Sequence, residues 1–125
     1  MKLIFAIFLT SVSIYAEFIG TYYARLANVD HYNSRGVRLH NVASIIRQDR
    51  YNFHIRGIKQ IDDTGDPFFY IKSNRDLLER MLSRGIISRY AKNRILYGTP
   101  LIKVDIYSDH LNVKIIDERP RTIIH

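Results

Sequence analysis

Cysteine and tryptophan are both missing from this chain of 125 residues. Without cysteine there is no disulfide, no thiol nucleophile and no thiolate ligand for a metal, so thiol catalysis, redox chemistry and Cys-based zinc sites are excluded. Small exported domains often add disulfides to a limited core. This one has to hold together by packing alone, and its length allows that. Low-complexity tracts and internal repeats are also absent, which points to one folded unit. No apolar run approaches the ~20 residues that a membrane-spanning helix needs, so no stable membrane anchor is expected.

The longest apolar run lies at the start. Lys2 supplies a positive charge, Leu3 to Leu9 are continuously apolar, and small residues follow at Ser11, Ser13 and Ala16. That is the layout of a secretory signal peptide. The expected organisation is a signal peptide over residues 1–16, cleaved after Ala16, and a single α+β domain over 17–125. Cleavage after Ser13 is the rival. The expected address is the periplasm of a Gram-negative bacterium, or secretion.

Acidic residues are few. The chain carries 19 Lys and Arg against 12 Asp and Glu, a formal net charge of +7, and loss of Lys2 leaves +6. A basic balance favours anionic partners. No block of like charge is long enough for a polybasic tail, and charges of both signs are spread along the chain.

Residues 17–27 alternate: Phe18, Gly20, Tyr22, Ala24 and Leu26 face one way, Thr21, Tyr23 and Arg25 the other, which predicts a strand. A polar loop follows to His40. Asn41 can cap a helix over 41–56, and Gly57 can end it in a left-handed conformation. A loop with Asp62, Asp63 and Asp66 leads to a short strand-like piece at 68–72. Ser73-Asn74-Arg75-Asp76 resembles a capping box for a second helix that stops at Gly85. Ser88 caps a third, closed by Gly98. The alternation of Ile102, Val104 and Ile106, then Leu111, Val113 and Ile115, predicts a hairpin turning at Asp109-His110. That register pairs 106 with 113, 104 with 115, and Asp105 with Lys114. The fold class is therefore a small α+β domain: N-terminal strand, three helices, and a C-terminal hairpin, with helices packed on an antiparallel sheet.

Asp49 departs most from pattern. It falls within the apolar stripe of Val42, Ile46 and Phe53, flanked by Asn52. A carboxylate there must be paired, hydrogen-bonded or protonated, and it either lines a pocket or ties down a structural partner outside the helix. The next face carries Arg47, Arg50 and His54, a solvated surface or a hold for an anion. Asp30-His31 offers an acid–base pair only if the two side chains converge. The five histidines form no His-x-x-x-His or His-Glu-x-x-His pair, and the Asp62–Asp66 loop fails the calcium-loop spacing, with Ser73 at its twelfth position. No metal and no cofactor are expected. No nucleophile elbow, phosphate-binding glycine loop or dinucleotide fingerprint occurs.

The element order over 41–117 resembles that of a winged helix, which would set Arg84, Arg89, Lys92 and Arg94 around a groove-reading helix. Export argues against that role, so nucleic acid is not the expected partner unless residues 1–16 are retained. The preferred function is a non-enzymatic exported binding protein, of inhibitor or immunity type by size and address. Its partner would be a folded protein or an anionic envelope component. Its candidate binding residues are Asp49, Asn52, Arg50, His54 and His31. The alternative is a small periplasmic hydrolase-type enzyme using Asp49 with Asn52 or a loop histidine. N-terminal sequencing of the periplasmic protein should find Glu17 first, or Ile14 if the rival site is used. An intact Met1 on a cytoplasmic protein would overturn export.

Overall fold

A computed structural model describes residues 15–117; the segment read as the core of a signal peptide lies outside the described residues. The elements are β1 (Phe18–Arg25), a 3-10 turn (Asn28–His31), α1 (Val42–His54), α2 (Lys72–Arg75), α3 (Leu78–Arg84), α4 (Arg89–Tyr97), β2 (Leu101–Tyr107) and β3 (Leu111–Asp117). The strands form one antiparallel sheet in the order β1-β2-β3, so the hairpin pairs back onto the N-terminal strand. The small α+β architecture is as expected. No helix among the described residues is long and apolar enough to cross a membrane.

Alternation along the strands sorts the side chains. Tyr22 and Ala24 of β1, Ile102, Val104 and Ile106 of β2, and Leu111 and Val113 of β3 are buried on one face. Ile45 and Ile46 of α1, Leu78, Met81 and Leu82 of α3, and Ile95 of α4 close over them. Burying a two-stranded hairpin's apolar face against helices gives it the stability it lacks alone. Phe18 leaves the buried face because a bulge between Phe18 and Gly20 shifts the register there. It is exposed instead and packs edge-on against Tyr107.

Helix ends follow the chemistry of their termini. Asn41 Oδ1 accepts from the Ser44 amide at 2.8 Å and Ser88 Oγ from the Ala91 amide at 3.0 Å, each satisfying one free donor of a first turn. Gly57, at φ 67°, takes the left-handed conformation beyond α1.

Several expectations are corrected. Residues 68–71 form turns, not a strand, so the element that a winged-helix order needs after its first helix is absent among the described residues. The second predicted helix is broken at Asp76 and Leu77 into α2 and α3. The Ser73 box does not form: Ile71 takes the N-cap position, two residues earlier, and Asp76 turns outward to bond Arg47 and Lys72. In the hairpin, Ile106 faces Leu111, Val104 faces Val113, and Asp105 faces Asn112 instead of Lys114. The turn is Ser108-Asp109, with Tyr107 N donating to His110 O at 2.9 Å and the Tyr107 and His110 rings stacked at 4.4 Å. The partners moved by two residues, which leaves every side chain on its predicted face. In-out alternation cannot distinguish registers that differ by two; the turn does.

Gly85 does more than end a helix. A Cβ there would stand 1.5 Å from the Leu111 carbonyl oxygen. The close approach lets Ile86 O accept from Val113 N at 2.9 Å and its amide reach Asn112 Oδ1 at 2.9 Å, locking the α3–α4 link to β3. Gly85→Ala should therefore cost about 3 kcal/mol or more in urea denaturation. Gly65→Ala, whose new methyl would meet Phe53 at an ordinary 3.5 Å, should be nearly neutral by comparison.

Candidate functional site

A stripe of helix decides where the polar residues go. At about 100° per residue, the arc of α1 from Asn52 through Ile45, Asp49, Val42 and Ile46 to Arg50 spans roughly 160°, and all six are buried. Arg50 was expected on a solvated face. It belongs to the Val42–Ile46–Arg50 row instead, and is 0 % exposed.

An enclosed guanidinium needs compensating charge. Arg50 Nε donates to Asp49 Oδ2 at 2.8 Å, and Nη1 donates to Asp66 Oδ2 at 3.0 Å and to the Thr64 carbonyl at 3.1 Å. Its face lies 3.8 Å from the Tyr22 ring centroid and 4.6 Å from that of Phe53, an aromatic sandwich that favours a desolvated cation. Two carboxylates hold its proton firmly, so its pKa rises further above the ordinary arginine value despite the burial.

Asp66 is the second anchor. Its sealed carboxylate accepts from Phe68 N at 2.9 Å and Phe69 N at 2.5 Å, and lies 2.7 Å from His54 Nε2. Burial would raise its pKa, but the Phe69 amide, His54, the Phe68 amide and Arg50 outweigh that and lower it. Asp49 is buried at 2 % exposure, as expected, but among the described residues its carboxylate bonds Arg50 of its own helix instead of a group outside it. Burial raises its carboxyl well above the usual range, against the pull of Arg50.

Asn52 builds a second branch. Its amide donates to Asp30 Oδ1 at 2.9 Å, and its carbonyl accepts from Gln48 and Arg56. Asp30 also accepts from the Ala27 amide at 3.0 Å, and burial raises its pKa. His31 points elsewhere: its two ring nitrogens each lie 2.8 Å from a carbonyl oxygen, of Ala27 and of Ile95 in α4. Asp30 and His31 therefore do not form an acid–base pair. His31 straps the 3-10 turn to α4.

The Asp62–Asp66 loop clamps the open edge of β1. Thr64 Oγ1 accepts from Tyr23 N at 2.8 Å, Thr64 N donates to Tyr23 O at 2.8 Å, and Asp63 Oδ1 accepts from Arg25 N at 2.8 Å. Asp62 bridges the Arg25 side chain at 3.0 Å. Asp62 and Asp63 thus both serve Arg25 while Asp66 serves Arg50, and no group of His, Asp or Glu able to hold a metal ion occurs among the described residues.

The structure thus gathers Asp49, Arg50 and His54 around Asp66, leaves Asn52 on a neighbouring branch, and sets His31 apart. From sequence, Asp63 and Asp66 register only as a loop that fails the calcium spacing, and Tyr22 only as a strand residue. The available signal was Asp66-Pro67 before two aromatic amides, an Asx-type turn that presents a carboxylate backwards. No known protein family, curated protein or solved structure matches this chain.

At neutral pH, Asp66→Asn should cost about 3–5 kcal/mol because it strands a buried cation. Asp49→Asn should cost only about 1–3 kcal/mol. The pH dependences should oppose each other. A lowered pKa contributes stability above the ordinary carboxylate range that is lost on acidification, so the deficit of Asp66→Asn should shrink from pH 7 toward pH 3. A raised pKa makes acidification favour the wild type, so the deficit of Asp49→Asn should grow. Urea denaturation across that range decides, and deficits moving in the same direction would refute the assignment.

Proposed function

We propose that this chain is an exported, non-enzymatic binding protein whose ligand is anionic, either an acidic face of a folded partner or an envelope component. One observation carries the reading: the exposed charges are predominantly basic. Among the described side chains, ten arginines and lysines are exposed, against four carboxylates, those of Glu17, Asp76, Glu79 and Asp109. The chain's positive balance therefore stands at its surface, and a surface of one sign attracts ligands of the other.

The inward acids support the non-enzymatic reading. Asp49, the preferred acid–base candidate, is sealed beneath Arg50, and Asp66 already serves four donors. A general acid or base needs a substrate proton within reach. Glu17 is tied to the sheet: its amide donates to Ser108 Oγ at 3.0 Å and its carbonyl accepts from Ser108 N at 2.8 Å. Cleavage after Ala16 would leave that residue at the terminus.

Binding to heparin should weaken steeply as salt rises, as counterion release demands, and Asp49→Asn should bind like wild type once corrected for its folded fraction. Tight, salt-insensitive binding of one DNA sequence would instead favour a nucleic-acid reader. Loss of binding or activity in a folded Asp49→Asn would favour a pocket built on that carboxylate.

A further inference from the structure

Arg75 is a buried cation that no carboxylate matches. It ends α2 at 5 % exposure, and its Nη1 donates to the carbonyls of Phe69 at 2.9 Å and Tyr70 at 3.0 Å. Its guanidinium lies 5.7 Å from the Tyr51 ring. Among the described residues no acid pairs with it, in contrast to Arg50. Carbonyl dipoles solvate a guanidinium but do not neutralise it, and a desolvated charge left in that state attracts a counter-ion.

The space beside Arg75 suits one. A cleft of about 340 Å³ between α1, α2 and the 28–40 loop is lined by Arg75, Arg47 and Lys72, by the hydroxyl-bearing Ser34, Ser44 and Tyr51, and by no acidic side chain. Within the cleft the three cations and three hydroxyls meet no carboxylate: Arg75 has carbonyl partners, and Arg47 and Lys72 reach out of it to Asp76. Asp76 does not line this cleft; it lines a smaller cavity beside it, shared with Arg47, Arg75 and Glu79, and bonds Arg47 and Lys72. Those pairs are exposed, and exposed pairs are weak enough to be exchanged for a better anion.

We infer that this cleft is a binding site for a phosphate group, with Arg75 as its buried anchor and Arg47 and Lys72 as clasps recruited from Asp76. A phosphate dianion offers several acceptor oxygens to guanidinium and hydroxyl donors at once, the match that charge-assisted recognition requires. The volume leaves room for a small organic body on the phosphate as well as for free phosphate. The inference rests on the reading of this protein as a binder of anions and gives that reading a place.

The test is an NMR titration of the whole chain at constant ionic strength with inorganic phosphate, glycerol phosphate and, as control, acetate. Both phosphates should shift the amides of Ser34 and Ser44 and the side-chain NH of Arg75, while acetate should leave them near the chloride baseline. Tighter binding of one phosphate says whether the ligand is free phosphate or a phosphomonoester. Arg47→Ala and Lys72→Ala, both at exposed positions, should each weaken binding about tenfold. Arg75→Lys, which keeps the charge but loses the planar fork, should weaken it while the protein stays folded. Shifts no larger than those with acetate, or unchanged affinity in the Arg47→Ala, Lys72→Ala double variant, would overturn the site. If heparin binding survives that failure the anion-binding reading stands without this cleft; if heparin binding is lost as well, both fall.

Discussion

The buried guanidinium of Arg50 is the constraint around which the other parts are arranged. A cation withdrawn from water has to be neutralised at short range. Its own helix supplies only Asp49, so the second carboxylate comes from the loop, through Asp66. Bringing Asp66 inward has consequences along the chain. Its other oxygen fixes the amides of Phe68 and Phe69, which delivers the Phe69 ring to the core against Tyr22. The same loop then presents Thr64 and Asp63 to the free edge of β1. An unpaired strand edge invites pairing with other chains; here a polar loop, held by the Asp66–Arg50 and Asp62–Arg25 ion pairs, closes part of it.

This arrangement also shapes the outside. Carboxylates spent on Arg50, on Arg25 and on backbone amides cannot balance the surface bases. The interior network and the basic exterior are thus two aspects of one distribution of charge. The inward acids are matched by inward bases, so the chain's modest positive balance stands at its surface. Arg75 stands out against that background. The fold matches its other deeply buried arginines with acids and leaves this one facing a cleft without any.

Some parts of the architecture were legible because they depend on local rules. Asn41, Ser88 and Gly57 cap or end their helices for reasons confined to a few backbone groups. The strands were legible because alternation reports which face is buried. Where two solutions satisfy the same local rule, the sequence was silent. Registers differing by two place Val104 and Ile106 inward equally well, and the choice came from the Ser108-Asp109 turn and the stacking of Tyr107 on His110. The capping-box spacing at Ser73 was likewise outbid by a tertiary partner, since Asp76 reaches Arg47 on another helix.

The site divides in the same way. Periodicity alone placed Asp49 and Asn52 in the buried stripe of α1, because an angle around a helix follows from residue number. It could not say that Arg50, at the margin of that stripe, would be enclosed rather than solvated. That depends on Asp66 arriving from 16 residues away and on Tyr22 arriving from another strand. Sequence fixes the charge a side chain carries and the face it occupies. Whether that charge is buried, matched or left facing a cleft depends on which distant groups the fold brings within hydrogen-bond reach, and only the tertiary structure decided that.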